Sequence, residues 1–192
     1  MTRVADHEIL PLILNRHSPR ALSGEPLPQA ELLRVLEAAR WAPSAMNIQP
    51  WRFLYAQAGT TEFARFVDFL LPFNADWAGK AGALVVVMSN TVMPDGKPFA
   101  PHAFDTGAAW MALALQAASM GLVAHAMGGV AQDKIRAELQ VPDTFTIHCV
   151  VALGFKGNFD DLPERLKPRE APNERRPIAE SIANGAFPDA WK

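Results

Sequence analysis

The chain contains one cysteine, Cys149, so no disulfide can form within it. Such sparing use of thiols suits a reducing compartment, and a cytoplasmic location is expected. Cys149 stands in an apolar, β-branched run, where a thiol is more readily a buried inert group than a nucleophile. A charge imbalance is missing too. Lys and Arg number 18 against 20 Asp and Glu, a net charge of −2, which exerts no general pull on nucleic acid or anionic membrane. The opening MTRVADHEIL mixes both signs and lacks the apolar centre of a signal peptide. From Thr106 to Gln132 there is no charged residue, but Gln116, Ser119, Gly121 and His125 interrupt the stretch. Its apolar continuity ends near Gly121, short of the ~20 residues that span a bilayer. A helix apolar on all sides and buried in protein explains it better.

Self-contained active sites are also absent. No GxGxxG follows a strand, and there is no GxxxxGK[ST] phosphate loop. The five histidines are scattered, with no pair at metal-ligand spacing, and no metal is expected. No G-x-S-x-G elbow exists. Any chemistry therefore belongs to a bound cofactor.

The chain that is present, 192 residues with 49% apolar and 20% charged, suffices for one domain with a real core. Leu32, Leu33, Leu36 and Ala39 recur at helical spacing after Pro28, which reads as a first helical position, and that helix should stop at Pro43. RFLYA (52–56), LVVVM (84–88) and TIHCVVAL (146–153) read as strands. Helices are expected over 61–71, 105–120 and 131–140. From Gly154 the composition turns to proline and charge, an irregular tail either disordered or laid along another surface. No internal repeat is visible, and helices mixed with a few strands indicate an α+β domain.

Four clusters remain. RHSPR (16–20) gathers Arg16, His17, Ser18 and Arg20, the donors a phosphate dianion needs, although alone it reads more readily as a solvated basic helix end. APSAMNIQPW (42–51) places Ser44, Asn47 and Gln49 between two rigid prolines, equally a ligand-facing turn or a helix stop before a strand. MGG (127–129) allows close backbone approach to a flat ligand, or is a simple loop, and His125 before it is more readily a packed histidine than a base. NERRPI (173–178) carries Arg175 and Arg176, which alone read as exposed charge.

In this order the clusters resemble the nitroreductase family of FMN-dependent, NAD(P)H-using oxidoreductases. The family pattern is R-[RH]-S-x-R, then A-P-S-x-x-N-x-Q-P-W, an Asn ahead of an apolar strand, a helix ending in a G-L turn, a glycine loop, and a late Arg before Pro. The chain supplies RHSPR, APSAMNIQPW, Asn74 ahead of ALVVVM, GLVAHAMGG and RRPI, over roughly residues 8–182. The resemblance implies an α/β sandwich with a central, mainly antiparallel sheet flanked by helices, in an intertwined homodimer with FMN at the subunit interface. It implies a single domain over 1–192 whose tail, from about 155, packs on the partner.

By the same resemblance Arg16, His17 and Ser18 hold the FMN phosphate with Arg175, and Arg20 lies near the N1–C2=O edge of the flavin. Pro43, Ser44, Ala45 and Asn47 come from the partner subunit, Asn74 reaches the ribityl or pyrimidine side, and Met127, Gly128 and Gly129 face N5. Many relatives carry a basic residue two positions before the late Arg, where this chain has Asn173, and often an aromatic after the glycine loop, where it has Val130. Met46, Phe73, His102 and Phe104 are candidates for pocket lining, equally explicable as core. The implied reaction is ping-pong reduction of nitroaromatics, quinones or similar small electron-poor acceptors by NADH or NADPH. Reductive dehalogenation on the same fold, an FMN-sequestering protein without turnover, and a flavin-free structural dimer are the alternatives.

Overall fold

The computed structural model describes residues 3–191; residues 1, 2 and 192 of the expected domain lie outside the described residues. Apolar runs at strand period and helical period sort the chain into one antiparallel sheet between two helical layers. Strands β1 (Trp51–Gln57), β2 (Ala83–Asn90), β3 (Leu122–Met127) and β4 (Phe145–Phe155) form a sheet in the order β1-β2-β4-β3, every pairing antiparallel. The expected α+β sandwich with an antiparallel sheet is what the chain adopts. β2 and β4 lie in the middle, and β2 is buried on both faces along nearly its whole length, as its unbroken apolar run requires.

Side chains that alternate along β2 feed two cores. Leu84, Val86 and Met88 face a layer made by α3 (Thr61–Val67), α4 (Pro72–Ala78) and α6 (Gln132–Glu138), through Phe66, Trp77 and Ile135. Val85 and Val87 face α2 (Gln29–Arg40) and α5 (His102–Ser119), through Leu32, Val35, Ala109 and Leu113. α2 begins one residue after Pro28, which caps it, and ends at Arg40, before Pro43 as expected. α5 runs three residues ahead of the expected start at Asp105 and turns at Gly121, whose φ of 71° suits glycine. The expected helix over 61–71 ends early, with α3 stopping at Val67, and Pro72 opens a separate helix, α4, beyond the expected span. β3 falls outside the expected elements, because LVAHAM is poor in β-branched residues and follows a helix after a two-residue turn.

A short helix, α1 (Pro11–Asn15), carries no buried residue and packs on α5. The first half of the tail is tied to its own chain. Leu166 is fully buried, Arg165 pairs with Asp76, the Glu170 carboxylate accepts the backbone N–H groups of Arg20 and Ala21 at 2.8–2.9 Å, and Ile178 N–H donates to Asp6. From residue 178 onward nearly every position is exposed, including Phe187 and Trp191, which meet edge to face. No helix among the described residues is long and apolar enough to cross a membrane.

Burial pushes the Cys149 thiol up to about 11. At pH 8 the native protein should therefore be alkylated by iodoacetamide at least about tenfold more slowly than a free thiol, because the thiolate is the reactive species. Mass spectrometry of native against unfolded protein checks this; equal labelling rates would refute the burial.

Candidate functional site

α1 delivers the chain into RHSPR at the β3 edge of the sheet, where Pro19 O accepts from His125 Nδ1 of β3 at 3.0 Å. The tail crosses the same place, and the two segments enclose a cavity of about 450 Å³ lined by Arg16, Ser18, Arg20, His125, Arg169 and Arg175. Arg16, His17, Ser18, Arg20 and Arg175 are thus brought together. Arg16 Nη1 donates to Ser18 Oγ at 3.1 Å, and neither Arg16 nor Arg175 forms an ion pair among the described residues. Burial first, then repulsion from Arg3 and Arg175, holds the Arg16 guanidinium below its usual range. The nearby Glu170 carboxylate is already engaged by two backbone N–H groups. Guanidinium groups without an ion pair that converge beside a hydroxyl have the chemistry to hold an anion.

Arg3 is the residue that sequence reasoning missed. It donates to Leu14 O and Arg16 O, and its Nε donates to Asn173 O at 3.0 Å. Two positions before Arg175, the Asn173 carbonyl receives Arg3 from the other end of the chain. Nothing in MTRV signals that arrival, since it depends on the terminal segment meeting the tail. Arg20 Nη1 donates to Arg169 O at 3.1 Å, while Arg20 Nε is buried without a partner. A buried guanidinium N–H left open calls for a ligand acceptor. His125 packs against Trp77 at 4.6 Å between ring centroids, the rings tilted by 49°, and burial lowers its pKa. It is a packed, neutral histidine with a fixed Nδ1–H, as the sequence favours.

Past Met127, β3 gives way to the Gly128–Gly129 loop. Gly129 O accepts both Leu71 N–H and Asn74 Nδ2, at 3.1 and 3.0 Å, so Asn74 pins the loop to the start of α4. A side chain at 129 would bring a Cβ to 2.8 Å from Asn74 Nδ2, which explains that glycine. Gly128 is exposed and its added Cβ would meet nothing, leaving its backbone open to a flat ligand.

The other expected component lies at the opposite edge, before β1. In the turn 43–50, Met46, Asn47 and Gln49 all have positive φ, between 52° and 57°, a strained state for residues with a Cβ. Among the bonds that hold it, Ala45 N–H donates to the buried Asp105 carboxylate at 3.0 Å, Gln49 N–H to Ser44 Oγ at 3.0 Å, and Gln49 Nε2 to Asn47 O. Pro43 and Asn47 are exposed, and Met46 is 73% exposed. Phe104 is 84% exposed and Phe73 44%, so none of these three apolar lining candidates is core. The turn hangs from the first turn of α5, while Arg16 lines a pocket with Ala118 near its end. From Asp105 to Ala118 the helix axis covers about 20 Å. One chain therefore keeps its turn and its basic cavity apart.

A larger concavity, about 870 Å³, is an open apolar groove along α2 with Leu33, Trp41, Trp51 and Phe53. Its Arg34 and Arg40 are paired with Glu31 and Glu37, and it shares no lining residue with the basic cavity.

A family model described as Nitroreductase family matches residues 13–155. A solved structure described as an oxidoreductase containing FMN is 43% identical, covers 97% of this chain and 96% of its own, and superposes with a TM-score of 0.93. The NADH dehydrogenase of Thermus thermophilus is 29% identical over 82% of this chain and 90% of its own length. An uncharacterised 15.4 kDa protein of Mycolicibacterium smegmatis is 32% identical over 71% of this chain and 88% of its own length.

Proposed function

The chain belongs to the nitroreductase family, and from that premise we propose that it is an FMN-dependent oxidoreductase that uses NADH or NADPH to reduce nitroaromatics, quinones or similar electron-poor acceptors. The observation that carries this reading is the basic cavity, where Arg3, Arg16 and Arg175 converge without an ion pair among the described residues. A flavin phosphate is the dianion that resolves their repulsion.

Arg16, Ser18 and Arg175 hold the phosphate, with His17 and Arg3 at the rim. Arg20 offers its unpartnered Nε, and the exposed Gly128 backbone and Asn74-anchored Gly129 border the ring. When bound, FMN supplies the hydride chemistry, accepting from the nicotinamide and passing on to the acceptor. A nearby guanidinium favours the negative charge that two-electron reduction brings. Pro43, Ser44, Ala45 and Asn47 of a second copy complete the site, since a single chain holds them at the far edge of the sheet. Exposed apolar side chains on α1, α2 and α5 and beside them, including Leu10, Trp41 and Met111, give a homodimer an interface. The exposed end of the tail, with Phe187 and Trp191, lies on the partner. A cytoplasmic site of action accords with a nicotinamide reductant.

Purified protein is expected to be yellow, to bleach anaerobically with NADH or NADPH, and to recolour with menadione or nitrofurazone. A colourless protein that takes up no added FMN would refute the reading. Bound flavin that neither nicotinamide bleaches would assign the chain to flavin storage instead.

A further inference from the structure

A second polar cluster sits outside the basic cavity. Ser89, fully buried at the end of β2, has its Oγ 2.7 Å from His102 Nδ1 and 2.7 Å from His148 Nε2. The two rings stand 6.1 Å apart, centroid to centroid. The position of His148 follows from a register shift: Val87 pairs with Cys149 and Met88 with Ile147, so His148 is the extra residue of a bulge in β4. The bulge puts His148 on the α5 side of the sheet together with Cys149, where strict alternation would have turned it away. His102 opens α5, and Ser89 arrives by its place in the β2 alternation.

A serine hydroxyl has one proton and can accept as well. Bracketed by two imidazoles, Ser89 donates to the bare nitrogen of one ring and accepts from the N–H of the other, so the rings take complementary tautomers. Burial, then the neighbouring His102, lowers the pKa of His148 and favours its neutral ring. The result is a continuous hydrogen-bonded line from one outer ring nitrogen to the other.

Both ends lie close along the chain to components of the proposed site. His102 shares the first turn of α5 with Asp105, which carries the 44–49 turn through Ala45 N–H, and Ser89 pairs with Trp51 just after it. His148 lies two residues before Val150, the partner of Met127, where β3 ends and gives way to the Gly128–Gly129 loop, and it is only partly buried. Resting on the reading given above, we propose that His102, Ser89 and His148 form a proton relay serving acceptors whose two-electron reduction also requires a proton, such as quinones, nitro compounds and enones.

A quinone illustrates the balance. It gains a hydride, with its electron pair, from the reduced cofactor, and one proton at oxygen. That O–H bond forms as the outer N–H of His102 breaks. Ser89 passes its hydroxyl proton to His102 Nδ1, His148 Nε2–H replaces it on Oγ, and the outer nitrogen of the partly buried His148 takes a proton from solvent. The net transfer is one proton from solvent to acceptor, with no charge left on the relay.

The test uses the FMN-loaded protein, reduced with NADH and mixed in stopped flow with menadione or with ferricyanide, which takes electrons without a proton. Ser89→Ala is expected to slow reoxidation by menadione by roughly 10–100-fold, part of the contribution of positioned proton transfer. Reoxidation by ferricyanide and reduction by NADH should stay within about twofold of the unsubstituted protein, and Ser89→Thr, which keeps the hydroxyl, should restore most of the menadione rate. Should Ser89→Ala not fold, His148→Gln carries the same expectation. Equal slowing with both acceptors, or unchanged menadione rates, overturns the relay. Failure of the unsubstituted protein to bind FMN or be bleached by NADH overturns the parent reading at an earlier step, and the relay with it.

Discussion

Replacement of Arg16 by alanine is expected to weaken FMN binding by roughly 10- to 100-fold, the effect of losing about 1.5–3 kcal/mol in charge-assisted hydrogen bonds to phosphate. The same substitution should leave the thermal stability of the flavin-free protein unchanged or slightly raised. Arg16 has no carboxylate partner to lose among the described residues, and repulsion from Arg3 and Arg175 already opposes its charge. That opposition of sign separates a ligand-binding role from a structural one: function and stability move apart where groups are held ready for an absent charge. Riboflavin, which lacks the phosphate, is the internal control. Arg16→Ala should narrow the affinity gap between FMN and riboflavin, and higher salt should narrow it in the unsubstituted protein, because part of the pocket is open to screening ions. Isothermal titration with both ligands reads the result. If both affinities fell alike, the phosphate would have to lie elsewhere.

Gly157→Ala is expected to be severely destabilising, by about 3 kcal/mol or more, which in a chain of this size lowers the melting temperature by roughly 6–12 °C. Gly157 follows β4 and lies flat against the segment after RHSPR. Its N–H donates to Ala21 O at 2.9 Å, beside a bridge between Leu22 and Lys156. An added Cβ would run into the Leu22 carbonyl group and come to 2.9 Å from Ser23 N, all backbone atoms that cannot rotate away. Relief requires the two segments to separate, and the one displaced carries Arg20 and Ala21, whose N–H groups hold Glu170. Loss of FMN affinity should therefore accompany the fall in melting temperature. A melting temperature within about 2 °C of the unsubstituted protein would mean that this approach is looser than its geometry states.

Much of this molecule is readable without coordinates, and particular residues show why. β2 and β4 are β-branched runs that strand propensity alone identifies, and Pro43 ends α2 because a proline disfavours helix in the residue before it. RHSPR is visible as a donor cluster because its members are adjacent in sequence. β3 is not visible, since its sequence carries weak propensity and becomes a strand through six paired positions of β4 beside it. Arg3 is invisible for a related reason: its value lies in meeting Arg16 and Asn173, which are distant along the chain. The same holds for Ser89, His102 and His148, three ordinary residues far apart in sequence until a one-residue bulge turns the last toward the other two.

Local chemistry, written residue by residue, determined by itself most of the element types, the buried central strands, the adjacent donor cluster RHSPR and the rigid turn between two prolines. Tertiary structure alone decided which cations line the basic cavity, what holds the turn in place, and that turn and cavity sit at opposite edges of one sheet. The division has a physical cause. Backbone preference and side-chain periodicity act over a few neighbouring residues, whereas electrostatic repulsion, burial and hydrogen-bond partnership depend on distance in space, which the folded chain alone defines.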